Sequence, residues 1–362
     1  MNDRERFLSH MNYEKTDEIP FHQWFSPWPE TLHRWYREGL PPNIDLNEYF
    51  GFNKVTWVPI DLGPIPRFVP KVLEETDEYR IEITYWGVKQ KVLKKHVSMP
   101  AFIEHPVKTW KDWEEMKKRF DPYDERRYPK EWGSELLEYY ETIDCPVGIG
   151  YQWPVGGFFA FPRVMLGLER MMLTLFKDPD LIHDIINFWA DFLIKATQEA
   201  VENAKIDFAN IWEDMAYKKG PHISPKMFRE FMLQPYKKLT DFLKRNGIEI
   251  IMVDTDGNHD ILNNLFLESG VNCLWPLEAA AGEDVIEIRK KFGKELRLFG
   301  NIDKQALARG KKAIKAELER KMPVAQDGGY IPSIDHSIPP DVSWENYCYY
   351  IKLLKKYSRI SK

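Results

Sequence analysis

Eight short runs rich in β-branched and aromatic residues, each bounded by turn formers, recur along this 362-residue chain. They are EIPFHQWF (18–25), KVTWVPI (54–60), PVGIGYQW (146–153), IDFANIWE (206–213), IEIIMVD (248–254), VNCLWP (271–276), LRLFGN (296–301) and GYIPSI (329–334). Amphipathic helical patterns separate most of them, such as RVMLGLERMMLTLF after the third and GEDVIEIRKKFG after the sixth. Strands alternating with helices predict an α/β chain folded as a (β/α)8 TIM barrel, one domain over 1–362. Ser224 before Pro225 predicts a helix start, and Gly247 and Gly293 predict helix ends. The stretch 61–145 interrupts the alternation. Its segment YRIEITYWGVKQKVLKK reads as an exposed hairpin, followed by two charged helices, so an insertion on the barrel is expected between strands two and three.

Bulk properties exclude several classes. A net charge of −5 with both signs interspersed leaves no basic footprint, so nucleic acid is not an expected partner. No apolar run reaches the roughly 18 residues needed to cross a membrane, and the charged N-terminus lacks the apolar core of a secretory signal. A cytoplasmic protein acting on a small molecule is expected. The three cysteines, Cys145, Cys273 and Cys348, are spaced for neither a disulfide framework nor a thiolate metal site.

A barrel enzyme carries its chemistry at the C-terminal ends of its strands. Those ends hold His22, Gln23 and Trp24; Asp61; Gln152 and Trp153; Glu213 and Asp214; Asp254 and Asp256; Glu278; Asn301 and Asp303; and Asp335 with His336. Acidic groups crowded at one rim need a proton, a metal or a cationic ligand among them. Many such positions also serve simply as helix caps and turns. The sharpest cluster is VDTDGNHD (253–260), where Gly257 permits a turn that lets Asp254 and Asp256 both face the mouth. The same pattern is a common Asx turn; His259 is expected in solvent, and His222 precedes a helix as a binding or a surface residue. His336 ends the last strand, either as a functional group or as a tie between strand ends.

Several stretches resemble the uroporphyrinogen decarboxylase superfamily: RERFLSHMNYEKTDEIPF, GGFFAFPRVMLGLERMMLTLFKDPDLI (156–182), FLESGVNCLWPLEAAAGEDV (266–285), LRLFGNIDKQAL (296–307) and GGYIPSIDHSIPPDVSWENYCYYIKLL (328–354). The resemblance implies a barrel with one of two chemistries: cofactor-independent decarboxylation of uroporphyrinogen, or methyl transfer with a corrinoid protein at a zinc site. The decarboxylases grip their polycarboxylate substrate with an arginine-rich loop after the first strand. Here that stretch, QWFSPWPETLHRW, has no arginine before Arg34, and Asp61 is the nearest candidate for their pyrrole-binding aspartate. The thiol-activating methyltransferases carry His-x-Cys-Gly after strand five and a cysteine after strand eight. The matching positions here are Asp254, Asp256 with Gly257, and His336, which implies a harder three-ligand zinc site suited to polarising an oxygen.

The resemblance thus implies a methyltransferase whose methylcobalamin or other corrinoid is carried by a partner protein, since no Asp-x-His-x-x-Gly signature occurs here. Glu213 or Asp214 would supply a proton or a further ligand, and Glu278 would orient a partner. Trp24, Trp28 and Trp153 would wall in a methylated, for instance methoxylated, substrate, beside His22, Gln23, Gln152 and His222. Two alternatives stand beside this. A decarboxylase acting on uroporphyrinogen or a smaller acid would use Asp254, Asp256 and His336 as proton carriers with no cofactor. A non-catalytic tetrapyrrole-binding barrel would use the rim acids only as caps.

Overall fold

The computed structural model describes residues 1–95, 99–151 and 156–359. Its centre is a seven-stranded, all-parallel sheet: β1 (Thr56–Val58), β6 (Val147–Tyr151), β7 (Phe208–Trp212), β10 (Ile250–Asp254), β11 (Cys273–Trp275), β12 (Arg297–Ile302) and β13 (Tyr330–Ile334), adjacent in that order. Successive side chains of a strand face opposite ways, and the sequence uses this to build two cores. Phe208, Ile250, Met252, Cys273, Trp275, Phe299 and Ile331 face inward and pack with Trp24, Phe25 and Trp57. Their neighbours Ala209, Ile211, Ile251, Val253, Leu274 and Leu298 face outward into the core shared with the helices.

The run 18–25 departs from the expectation. It forms no strand, and no ladder joins β13 back to β1 among the described residues. Pro20 has no N–H to offer, and the segment is tied instead by scattered bonds. Phe21 N–H donates to Asn53 Oδ1 at 2.6 Å, Asn53 N–H donates to the Phe21 carbonyl at 2.7 Å, and Gln23 Oε1 accepts from Ser333 Oγ at 2.9 Å. The sheet is therefore a curled, barrel-like, seven-stranded parallel sheet, with 18–25 lying beside it without regular pairing.

Between β1 and β6 lies a four-stranded antiparallel sheet, β2 (Lys71–Glu75), β3 (Tyr79–Ile83), β4 (Lys89–Leu93) and β5 (Ala101–Glu104). Helices Trp110–Lys117 and Ser134–Thr142 follow it. A two-residue ladder, β8 (Ala216–Tyr217) with β9 (Gly220–Pro221), follows β7. The Ser224 side chain caps Met227 N–H, and Gly247 and Gly293 end their helices with φ of +85° and +56°. Among the described residues no helix is long and apolar enough to cross a membrane. All three cysteines are free thiols, with Cys145 and Cys273 buried.

Helix Asp3–Met11 closes the N-terminal end of the sheet. Phe7 and Met11 enter the inner core, and His10 Nε2 lies 2.8 Å from the Tyr330 carbonyl. Arg4 and Asp207 form a buried pair at 2.9 Å, and Asp207 also accepts from Val147 N–H at 2.7 Å. With that end sealed, the polar groups of the opposite, C-terminal end are the ones open to a ligand.

Candidate active site at the C-terminal mouth

Asp254 is the last residue of β10 and shares the inward parity of Ile250 and Met252, so its half-buried carboxyl faces the mouth. Two residues on, the turn depends on Gly257, whose φ is +79° and where a Cβ would lie 2.6 Å from Tyr217 N. Only glycine fits there. Its N–H donates to Glu278 Oε2 at 3.0 Å, and the turn carries Asp256 to within 3.3 Å (Oδ2) of His336 Nε2. The His336 ring stacks on Phe25 at 4.7 Å, and Phe25 stacks in turn on Trp275 at 4.8 Å, so an aromatic pile holds the imidazole.

The electrostatics follow from this crowding. Burial, then the charges of Asp256 and Asp214, push the Asp254 carboxyl well above the usual carboxylate range, against a bond from the Asn210 side chain. Asp254 is therefore the group at this mouth most readily kept as a neutral acid. Burial works against a charge on His336, but the hydrogen bond and charge of Asp256 outweigh it and raise its pKa. Asp214, with φ +46°, is raised by burial against the pull of Arg163, whose Nη1 lies 2.9 Å from both its carbonyl and its carboxylate.

Other expected site residues are placed differently. Glu213 is fully buried, and its oxygens accept from the N–H groups of Phe158 (2.7 Å), Phe159 (2.7 Å) and Ala160 (3.0 Å) and from the Tyr236 hydroxyl. Its acceptor capacity is spent on anchoring the chain entering helix Ala160–Leu166. Asp61 bonds Gly63 N–H (2.8 Å) and Arg67 (2.7 Å) on its own loop. Glu278 pairs with Lys304 at 2.9 Å. His22 is buried beneath the mouth with Nδ1 3.1 Å from the Asn53 carbonyl, and burial lowers its pKa to about 4. Gln23 serves as the tie to β13. Trp24 fills the sheet interior, stacked on Phe299 at 4.4 Å, while Trp28 lies outside as the exposed residue preceding helix Pro29–Glu38. His222 is stacked between Phe159 and Tyr217. Gln152 and Trp153 lie outside the described residues. His259, expected in solvent, is fully buried, with Nδ1 2.8 Å from Asn263 Oδ1.

The tie between strand ends considered for His336 is made by its neighbour. Asp335 is fully buried and accepts from Ala279 N–H (3.0 Å) and Lys304 N–H (3.1 Å), and burial raises its pKa to about 6. Arg163, Lys304 and Asn210 are site groups that the sequence reading passed over. Inward parity on β7 would have pointed to Asn210; Arg163 and Lys304 sit on helices and reach the mouth only through the fold.

Zinc was expected on Asp254, Asp256 and His336. Among the described residues no three His, Cys, Asp or Glu side chains gather closely enough to hold a metal ion. His336 Nε2 is instead turned to Asp256, at 3.3 Å. The arrangement does not fit a zinc site, and no step below runs through a metal.

Comparison with known proteins places this architecture. The uroporphyrinogen decarboxylase (URO-D) family profile matches residues 84–357. The uroporphyrinogen decarboxylase of Campylobacter lari is 27% identical over 214 residues, and that of Campylobacter jejuni serotype O:2 is 28% identical over 215. These matches take in 58% of this chain and span 59% and 58% of those enzymes. The Prochlorococcus marinus enzyme is 20% identical over 327 residues, 87% of each chain. A solved methyltransferase from Methanosarcina mazei shares the fold with a TM-score of 0.60 at 17% identity, covering 99% of both chains. By its family profile, this chain belongs to the uroporphyrinogen decarboxylase family.

Proposed function

We propose that the chain is an enzyme that transfers a methyl group from a small, weakly charged molecule, with Asp254 protonating the heteroatom left behind. The observation that carries this reading is the Asp254 carboxyl, held toward its neutral form at the mouth beside the Asp256–His336 pair. When a carbon–oxygen bond breaks, its electron pair stays on the oxygen; a neutral acid placed there supplies the proton and becomes a carboxylate. The His336 imidazolium, favoured by Asp256, offsets that charge, and solvent restores the proton to Asp254. The methyl acceptor is proposed to be a corrinoid carried by a separate protein, which when bound supplies the electron pair that takes the methyl group.

The charge of the mouth supports a substrate with few carboxylates. Of the cations at the mouth, Lys304 is paired with Glu278 and Arg163 shares one nitrogen with Asp214, both at 2.9 Å, and the segment 18–28 contributes aromatics and no arginine. A porphyrinogen bearing eight carboxylates would meet little opposite charge here. The decisive experiment supplies reduced corrinoid and a panel of methyl ethers to the purified chain. Methyl transfer that falls about 10²-fold or more in Asp254→Asn is the expected result. No transfer across the panel, together with coproporphyrinogen formed from uroporphyrinogen, would replace this reading with decarboxylation. That second reading is favoured by the names of the curated relatives, because a neutral acid protonates the carbanion left by carbon dioxide as readily as an oxygen.

A further inference from the structure

The inserted sheet does more than decorate the barrel. Between it and helices Ala160–Leu166 and Leu168–Lys177 lies a cavity of about 700 Å³, within the range of small-molecule sites. Trp86, Phe102 and Ile103 on the insertion, Leu166 and Leu168 on the helices, and Trp212 and Asp214 at the sheet rim line it together with Arg163 of the first helix, and Glu104, Lys108, Glu169 and Arg170 add charged groups to the lining. Phe102 and Ile103 are 51% and 45% exposed, an apolar wall of the cavity.

The walls are held in place. Val107 N–H donates to the Met165 carbonyl at 2.9 Å, and His105 Nδ1 lies 2.8 Å from the Val164 carbonyl. At Gly167, φ +81°, a Cβ would lie 2.6 Å from the His105 ring, so the two sides meet as closely as the chain allows. Arg163 sits with its guanidinium 5.2 Å from the Trp212 ring. Only its Nη1 bonds Asp214, and its other nitrogens make no hydrogen bond to a described residue. The cavity is thus apolar between Phe102, Ile103 and Leu166, and at its sheet-rim end Arg163 has donors to spare, a geometry that suits a planar carboxylate.

We propose that this cavity binds an apolar molecule ending in a single carboxylate, its body between Phe102, Ile103 and Leu166 and its carboxylate on Arg163. The site stands whichever reaction the neighbouring acid cluster performs. The probe is 4-phenylbutanoate, followed by quenching of tryptophan fluorescence, since Trp86 and Trp212 line the cavity, with 4-phenylbutan-1-ol as the uncharged comparison. Saturable quenching by the acid is expected. Arg163→Gln should weaken the acid at least tenfold while changing the alcohol less than about twofold. Ile103→Glu, on an exposed wall position that leaves folding undisturbed, should weaken both ligands at least tenfold. Absence of saturable quenching, or quenching that Ile103→Glu leaves unchanged, overturns the proposal. Binding is read without turnover, so failure of the methyl-transfer reading leaves this result standing, and loss of binding says nothing against that reading.

Discussion

At the scale of single residues, the mouth is governed by how charge is shared between Asp254, Asp256 and His336. Asp254 acts only while protonated, and its pKa lies above the ordinary carboxylate value, so activity should be full at low pH and decline as pH rises through that raised value. A rate profile that rises with pH over the same window would count against Asp254 as the acid. His336 has a folded pKa above its unfolded one. Its pairing with Asp256 therefore contributes stability that is fully present below about pH 6.5 and is lost as pH rises through the raised value. Both side chains are about a third exposed, which limits the contribution to about 1 kcal/mol. Denaturant unfolding of His336→Asn should show that deficit at pH 6 and little of it at pH 9. Asp254 and Asp256 were legible because they flank the end of an apolar strand run. Their separate roles were not, because Asp256 depends on a histidine some 80 residues away in the chain and Asp254 on burial beside Asp256 and Asp214.

At the scale of elements, Glu213 joins the end of β7 to the start of the helix that follows β6. Three backbone N–H groups and one hydroxyl converge on its fully buried carboxylate, where an unpaired donor is costly. Glu213→Gln turns one acceptor into a donor facing donors, and unfolding should show a loss of about 3 kcal/mol. Gly157→Ala strikes the same contact from the other side, since its Cβ would lie 2.2 Å from the Glu213 carboxyl. The two substitutions should be strongly non-additive in a double-mutant cycle, and simple additivity would show that they act on separate features. The sequence places Glu213 at a strand end, where it reads like a rim acid. Nothing local reveals that the chain at 158–160 returns to cover it.

At the scale of the whole molecule, two buried histidines act as ties in their neutral form, His10 between helix Asp3–Met11 and β13 and His22 between the segment 18–25 and the chain entering β1. His10 and His22 both have pKa values lowered to about 4, chiefly by burial. The unfolded chain binds their protons near pH 6.5 and the folded chain does not, so each costs stability as pH falls from 6.5 toward 4, by up to about 1.4 kcal/mol per pH unit. His22→Asn keeps a donor for the Asn53 carbonyl without titrating, so its stability should change less than that of the wild type between pH 7 and 5. Equal slopes would mean that His22 is not held neutral. The barrel-like order of elements was determined by the sequence itself, because the two-residue and 3.6-residue periods of apolar side chains are local properties of the chain. The same local chemistry marked Ser224, Gly247 and Gly257. Only the tertiary structure decided that 18–25 would sit beside the sheet without a ladder, that Asp256 would take His336 in place of a three-ligand cluster, and that Glu213 and Asp335 would serve as anchors. Those outcomes depend on hydrogen-bond partners drawn from distant strands and helices, and a polar side chain's partner is set by where the folded backbone brings the nearest donor or acceptor.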